Sequence, residues 1–442
     1  MRTIGATNLD LVTALAEAEA RYRAGNPKSL AQHRAACAAM PGGNTRASLH
    51  VDPFPLTMAR GEGARLWDLD GHEYADFLSE FTAGIYGHSH PAIRRAVMAA
   101  LEGGLNLGAH GEAEARFAAA VCARFPSIEL VRFTNSGTEA NLMAVAAARA
   151  ITGRPKILVF AGGYHGGVFY FRGDGSPLNA PFAFLLGRYN DLAMVEELVG
   201  PHRAELAAIL VEPMQGTTGC IAAEREFLAG LRRLASDGGA LLIFDEVMTS
   251  RLAPGGLQEV HGILPDLTTL GKYLGGGMSF GAFGGRADIM ERFDPRRAHA
   301  FEHAGTFNNN LLTMTAGYAG LTEIYTPERA RALNEWGDAL RRRLGAIARR
   351  QGLPMQFTGI GSMMSVHMTD RPIRCEEDAA QGSGALRDLF WFDLVAAGIW
   401  FARRGMFALS IALDDRDADR LAAAVEEFAE TRAPLFDRAP AA

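Results

Sequence analysis

A chain of 442 residues with 48% hydrophobic and 21% charged residues carries enough apolar material for a sizeable core and more than one structural unit. Its formal net charge of -6 leaves no basic surplus to neutralise phosphates, and no stretch approaches about 18 uninterrupted apolar residues, so neither a nucleic-acid partner nor a membrane span is expected. The four cysteines, Cys37, Cys122, Cys220 and Cys375, form no C-x-x-C pair and no cluster at metal-ligand spacing, which fits reduced thiols in a cytoplasmic protein without a metal site.

The stretch from Asn8 to about Ala24 places Leu9, Leu11, Val12 and Leu15 near a 3.6-residue period, with Asn8 as N-cap, and predicts an amphipathic docking helix. Acidic residues interrupt it, against a signal peptide. From Pro41 to Gly71 turn residues separate short extended runs such as Ala64–Trp67, predicting a small sheet. Between about Asp76 and Tyr325, apolar runs alternate with alanine-rich helical stretches. Candidate strands are Leu130–Thr134, Lys156–Phe160, Ala208–Glu212 and Ala240–Phe244, and near-continuous apolar strands of this kind belong to a parallel sheet buried on both faces. Thr326-Pro327-Glu328 supplies an N-cap, a proline at the first helical position and a first-turn acid, opening a helix to about Arg350. Extended candidates follow at Met363–His367 and Ala408–Ile411, then a helix over Asp417–Thr431. The division expected is 1–75 as an N-terminal arm with part of a small domain, 76–325 as the large domain, and 326–442 as the remainder of the small domain.

Four places in this pattern carry chemistry. The apolar run Ala240–Phe244 ends in Asp245-Glu246, at the carboxyl end of a parallel sheet, where α/β proteins bind ligands. A carboxylate there can hold the protonated ring nitrogen of pyridoxal 5'-phosphate (PLP) and make the ring an electron sink; the plainer alternative is an acid capping the next turn. Downstream, Lys272 is enclosed by the apolar run after Asp266 and by Gly271 and Gly275-Gly276-Gly277. Desolvation lowers an amine's pKa and frees it to attack a carbonyl, so Lys272 is the expected Schiff-base lysine. The run Val131–Thr134 leads through Asn135-Ser136-Gly137-Thr138 into an alanine-rich helix to about Ala150, aiming N–H groups, two hydroxyls and a helix dipole at one point suited to a phosphate. In Gly163-Tyr164-His165-Gly166, Tyr164 offers a ring to lie on a flat cofactor, and Glu212 is a further acid at the same sheet edge, set to meet a polar cofactor group or a loop.

Together these residues resemble the class III, or ω-type, aminotransferases of the fold-type I PLP enzymes, from about Pro41 to about Ile411. Within that group the text is similar to glutamate-1-semialdehyde aminomutases and, more closely, to β-phenylalanine aminotransferases, sharing Glu246–Pro254, Gly275–Gly285 and Gly305–Asn310. The resemblance implies a large domain with a mostly parallel seven-stranded sheet between helices, plus a smaller α+β domain built from both ends of the chain. It implies that Lys272 is the catalytic lysine, Asp245 pairs with the ring nitrogen, Tyr164 stacks on the ring, Val247 packs on its other face, and Ser136, Gly137 and Thr138 hold the phosphate. Thr306 would reach the phosphate of a neighbouring subunit, implying a homodimer with active sites at the interface. Arg46 and Arg404 would bind the carboxylates of a small-molecule amino donor and a 2-oxo acid acceptor, with adjacent Arg403 the alternative to Arg404. The implied reaction moves an amine from an aromatic β-amino acid to 2-oxoglutarate or pyruvate by a ping-pong mechanism; the alternative is an aminomutase-like transfer within one molecule. Met248, Ser250 and Thr217 depart from the ornithine-type pattern, and with Thr217 in place of a glutamate that branch's glutamate–arginine gate is not expected.

Overall fold

Seven runs between Leu130 and Gly285 assemble into one sheet, in the computed structural model, which describes residues 10–436. Their spatial order is Leu130–Thr134, Gly281–Gly285, Leu267–Gly271, Leu241–Asp245, Leu206–Val211, Lys156–Phe160 and Ala183–Gly187. All neighbouring pairs are parallel except those made by Gly281–Gly285, which runs antiparallel to both of its neighbours. The seven-stranded, mostly parallel expectation is met.

Side-chain alternation explains why these strands read as continuous apolar text. Ile157 and Val159 pack with Ala140, Ala144 and Ala148 of the helix Gly137–Thr152 on one face, while Leu158 and Phe160 pack with Phe227 and Leu231 of the helix Arg225–Gly238 on the other. Both faces are covered, so the central strands carry an apolar side chain at every position from Leu206 to Val211 and from Leu241 to Phe244. Each large side chain so buried stabilises the fold by roughly 1.5–3 kcal/mol before entropy is counted.

Two strand ends shift by a residue or two from their predicted places, and the shifts matter. The strand expected as Ala240–Phe244 runs Leu241–Asp245, which makes Asp245 its last residue, and the one expected to reach Glu212 ends at Val211. The run expected at Ala408–Ile411 instead pairs over Met406–Ala408, because beyond it Leu409 N–H turns to Ser362 O and Ile411 N–H to Ile85 O. The helix Pro327–Arg350 starts and ends where predicted, with the Thr326 side chain accepting from Arg329 N–H. The last helix is longer than predicted, Asp415–Phe436, with Asp415 and Asp417 in its first turn.

The opening helix is Leu11–Gly25 and its cap is Asp10, whose carboxylate accepts from Thr13 N–H at 3.0 Å; the predicted cap Asn8 lies outside the described residues. Tyr22 on this helix packs against Phe54, Trp391 and Phe392 and donates to Phe54 O at 2.8 Å, so the arm docks on both ends of the chain. A second sheet joins Met58–Glu62, Arg65–Asp68 and Glu73–Asp76 to Ile399–Trp400, and a third joins Gln356–Ile360, Met363–His367 and Met406–Ala408. No helix among the described residues is long and apolar enough to cross a membrane.

Candidate active site

The carboxyl ends of the parallel strands bring Asp245, Glu212 and Lys272 to one edge, as the last residue of its strand or the first beyond it. Asp245 is 4% exposed, and each carboxylate oxygen is held. Oδ1 accepts from Val247 N–H at 2.9 Å; Oδ2 accepts from Asn141 Nδ2 and from His165 Nδ1, both at 2.8 Å. Since a carboxylate only accepts, the proton of the His165 imidazole sits on Nδ1. Asn141 also donates to His165 O at 3.0 Å and accepts from Thr269 Oγ1 at 2.7 Å, which fixes its amide. The result is a buried carboxylate locked in orientation by its own turn and by groups from two other segments.

The neighbouring acid has a different fate. Glu246 is fully buried and accepts from Thr249 Oγ1, Leu257 N–H and Gln258 N–H at 2.6, 3.0 and 2.8 Å, so both of its oxygens are spent on the segments that follow, whereas Asp245 gives only Oδ1 to the next turn. Asp266 lies at the opposite end of the sheet, paired with Arg232 and Arg286 at 2.8 Å each.

Lys272 adopts φ +58°, a left-handed conformation costly for a residue with a Cβ, at the junction between its strand and a short 3-10 turn. Burial, reinforced by the positive charges of Arg46 and Arg404, brings its amine down to about 8, against the pull of Asp245 and Glu80. About a tenth of the amine is therefore unprotonated and nucleophilic at pH 7, against well under a hundredth for an ordinary lysine.

Ser136 caps the helix Gly137–Thr152, its hydroxyl accepting from Glu139 N–H at 3.2 Å, so the N–H groups of Gly137 and Thr138 in the first turn have no intrahelical acceptor. A Cβ on Gly137 would stand 2.9 Å from both methyls of Val247, so glycine is needed for this turn to close on the strand end. Thr138 Oγ1 accepts from Gly167 N–H at 3.2 Å and ties the turn to the Tyr164 loop. Glu212 fixes that loop from beneath: it is 4% exposed and accepts from Tyr164 N–H at 2.9 Å and Gly216 N–H at 3.1 Å, while burial raises its pKa. Tyr164 is half-buried, and desolvation raises its phenol.

Across from the lysine stand two arginines. Arg46 pairs with Glu80, and its guanidinium lies 5.4 Å from the centre of the Phe81 ring. Arg404 lies 4.8 Å from the same centre, contacts Met406 Sδ at 3.3 Å, and has a buried Nε with no partner. Burial lowers Arg404 to about 10, which leaves it charged at neutral pH. Arg403 is turned away, its fork on Asp388 at 3.0 and 2.9 Å. Glu80 and Phe81 belong to Ser79–Thr82, four non-glycine residues with φ of +46°, +47°, +52° and +82°. One left-handed turn of this kind costs about 1–2 kcal/mol per residue. Thr306 stands apart from these groups of its own chain: it is exposed, in a cavity of about 360 Å³ lined by residues 105–111, 306–307 and 309–311, beside exposed Leu105, Leu107 and Phe307.

Four residues of this edge had no role in the sequence-based reading. Asn141 and His165 lay within the motifs already singled out; Glu80 and Phe81 had no local signal, because only the fold brings their turn to the arginines.

The residues fit PLP: a buried oriented carboxylate, a lysine of lowered pKa, unpaired N–H groups at a helix start and a glycine cleared for Val247. Residues 47–413 match the family model for aminotransferase class-III. The chain is 54% identical over 433 residues to a beta-phenylalanine transaminase of Variovorax paradoxus, covering 98% of this chain and all of the relative. The crystal structure of a beta-phenylalanine aminotransferase from Variovorax paradoxus superposes with a TM-score of 0.95 at 55% identity, covering 96% of this chain and 99% of that one. A glutamate-1-semialdehyde 2,1-aminomutase of Nitratidesulfovibrio vulgaris is 39% identical over 86% of this chain and 93% of its own length. With the site's geometry and these relatives in agreement, the chain belongs to the class-III aminotransferases and is a PLP-dependent enzyme of fold type I.

Proposed function

We propose that this enzyme moves the amino group of an aromatic β-amino acid such as β-phenylalanine to 2-oxoglutarate or pyruvate, in two half-reactions through Lys272. The observation that carries the reading is the pair of guanidiniums over Phe81, one exchangeably paired and one with an unpartnered nitrogen. Both substrates bring carboxylates, and an arginine fork is the group suited to them. Arg46 and Glu80 are 42% and 58% exposed as side chains, so their ion pair contributes little and an incoming carboxylate can replace Glu80 at small cost. Phe81 beneath them is an apolar floor for an aromatic substituent.

PLP, when bound, supplies an electrophilic aldehyde and an electron-withdrawing ring. In this reading Lys272 provides the amine that exchanges with substrate, and its Nζ takes the proton from the substrate's amine-bearing carbon and would pass it to the cofactor. Asp245 holds the ring nitrogen, Tyr164 and Val247 the ring faces, and Ser136, Gly137 and Thr138 the phosphate. Glu212 serves the cofactor through the Tyr164 loop that it supports. We further assign the exposed rim around Thr306 to a second copy of the chain, giving a cytoplasmic homodimer in which Thr306 completes the partner's phosphate site.

The test is spectroscopic and needs no coupled assay. β-Phenylalanine alone converts the bound cofactor to its amine form, and 2-oxoglutarate or pyruvate restores it. An enzyme that turns over glutamate-1-semialdehyde without an external acceptor, and whose cofactor band ignores β-phenylalanine, would be an aminomutase instead.

A further inference from the structure

We infer that Arg251 is a positioning residue for the substrate carboxylate, acting by clamping together the two segments that carry Glu80, Phe81 and Arg404. The inference rests on the carboxylate-binding reading of Arg46 and Arg404 and adds to it what keeps that site in shape.

Arg251 is 0% exposed, yet its side chain bonds no carboxylate. Nε donates to Ser362 Oγ at 3.1 Å, one terminal nitrogen to Thr82 O at 3.4 Å, and the other to Leu409 O. A guanidinium buried against neutral oxygens is costly, and a joint needing only hydrogen bonds could be built from an amide or a hydroxyl. What the arginine adds is a rigid planar fork that fixes the separation of its acceptors.

Those acceptors lie on either side of the carboxylate site. Thr82 is the last residue of the left-handed turn, one position after Phe81 and two after Glu80. Leu409 follows the strand Met406–Ala408, which begins two residues after Arg404. The arginine is itself anchored, since its own carbonyl accepts from Tyr325 Oη at 2.6 Å and Asn334 Nδ2 at 2.9 Å.

The turn needs such holding. Four successive left-handed residues without a glycine persist only where their surroundings over-determine them. Asp76 Oδ1 ties the start of the turn, accepting from Leu78 and Ser79 N–H at 2.9 Å each, and Arg251 ties its end. Freed at that end, Phe81 and Glu80 would drift relative to Arg404, and the two guanidiniums would lose their common floor. Lys272 and Asp245 have no hydrogen bond to this clamp, so the chemistry at the amine would persist while recognition declines.

The experiment uses holoenzyme and 3-phenylpropionate, which keeps the ring and carboxylate of β-phenylalanine but has no amine to react. Arg251→Met is expected to raise its inhibition constant about tenfold or more, with the single-turnover rate at saturating β-phenylalanine changed by no more than about threefold and Arg251→Lys falling between. An unchanged inhibition constant, or a saturated rate that falls in the same proportion, overturns the inference in favour of a purely structural joint. If Arg251→Met does not fold, Ser362→Ala and Arg251→Lys carry the same test, and constants at the wild-type value in both overturn it. Arg46→Ala and Arg404→Ala serve as references: if neither raises the constant, the carboxylate reading itself fails; if they do and the Arg251 variants do not, only the clamp fails.

Discussion

Replacing His165 by phenylalanine removes one of the two donors on Asp245 Oδ2 while leaving a ring of similar size in a pocket that is 2% exposed, beside Phe171 at 6.3 Å between centroids. The lost contact is a hydrogen bond to a buried ionised group, a class worth about 1.5–3 kcal/mol. The carboxylate keeps Asn141 and Val247 N–H, so it is not abandoned, only freer to rotate. Converted at 1.4 kcal/mol per decade, the expectation is a roughly 10- to 150-fold loss, divided between PLP affinity and the half-reaction rate. Asn141→Ala removes the other donor on the same oxygen and also leaves Thr269 Oγ1 without its acceptor, so its loss should be at least as large. Because both donors restrain one atom, the double variant should depart from additivity by about 0.5–3 kcal/mol. The measurements are PLP titration of the apoenzyme by absorbance and stopped-flow single turnovers with β-phenylalanine. A His165→Phe enzyme with wild-type cofactor affinity and rate would refute the claim that imidazole orientation of Asp245 matters.

Lys272→Ala should abolish turnover, and near-normal rates in purified variant protein would remove the lysine from the mechanism. The rate at which apoenzyme takes up PLP should rise with pH through an inflection near 8, where the buried amine loses its proton, whereas an inflection near the ordinary lysine value of about 10.4 would contradict the desolvated environment. The linked stability effect has a definite sign. Between about 8 and 10.4 the unfolded chain binds a proton that the folded apoenzyme has released, so wild type should gain up to about 3 kcal/mol relative to Lys272→Met as pH rises through that window, read by urea unfolding. Arg46→Ala should raise the Michaelis constant for the amino donor by about one to three orders of magnitude, as loss of a charged hydrogen-bonded pair implies. Arg404→Ala should act similarly on a carboxylate substrate, while Arg403→Ala should leave Michaelis constants alone and lower the melting temperature, because it deserts Asp388. Equal kinetic effects from Arg403→Ala and Arg404→Ala would defeat that division.

Much of the fold was legible because both faces of the large sheet are covered, so its central strands are written in apolar text bounded by turns, whereas Leu267–Gly271 with two threonines and Gly281–Gly285 with three glycines gave no such run. The cofactor end was legible for a related reason: parallel topology sends every strand's carboxyl end to one edge, and residues such as Asp245 and Lys272 follow apolar runs visible in the chain. The run Leu409–Ile411 misled because it is as apolar as a strand, yet its amides are taken by Ser362 and Ile85 from other parts of the fold. The left-handed turn Ser79–Thr82 had no signature at all, since it contains none of the glycines that usually announce positive φ.

The adjacent pairs show where local reading stops and why. Asp245 and Glu246 are chemically equivalent in the sequence, as are Arg403 and Arg404, and each pair divides between site and scaffold. In each case the scaffold member is claimed by a partner supplied from elsewhere: Glu246 by the amides of Leu257 and Gln258, Arg403 by the fork of Asp388 fifteen positions upstream. The site member is left facing the sheet edge with capacity to spare, Arg404 through its unpartnered Nε and Asp245 through a carboxylate whose orientation is set by protein donors. Scaffold contacts satisfy one neighbour completely and so exclude it from chemistry, while the other, though itself buried or half-buried, keeps a hydrogen-bonding position open. A charged residue's function in this fold is therefore decided by which of its bonds the protein leaves unmade, a property that resides in the assembled partners and not in the residue's own stretch of chain.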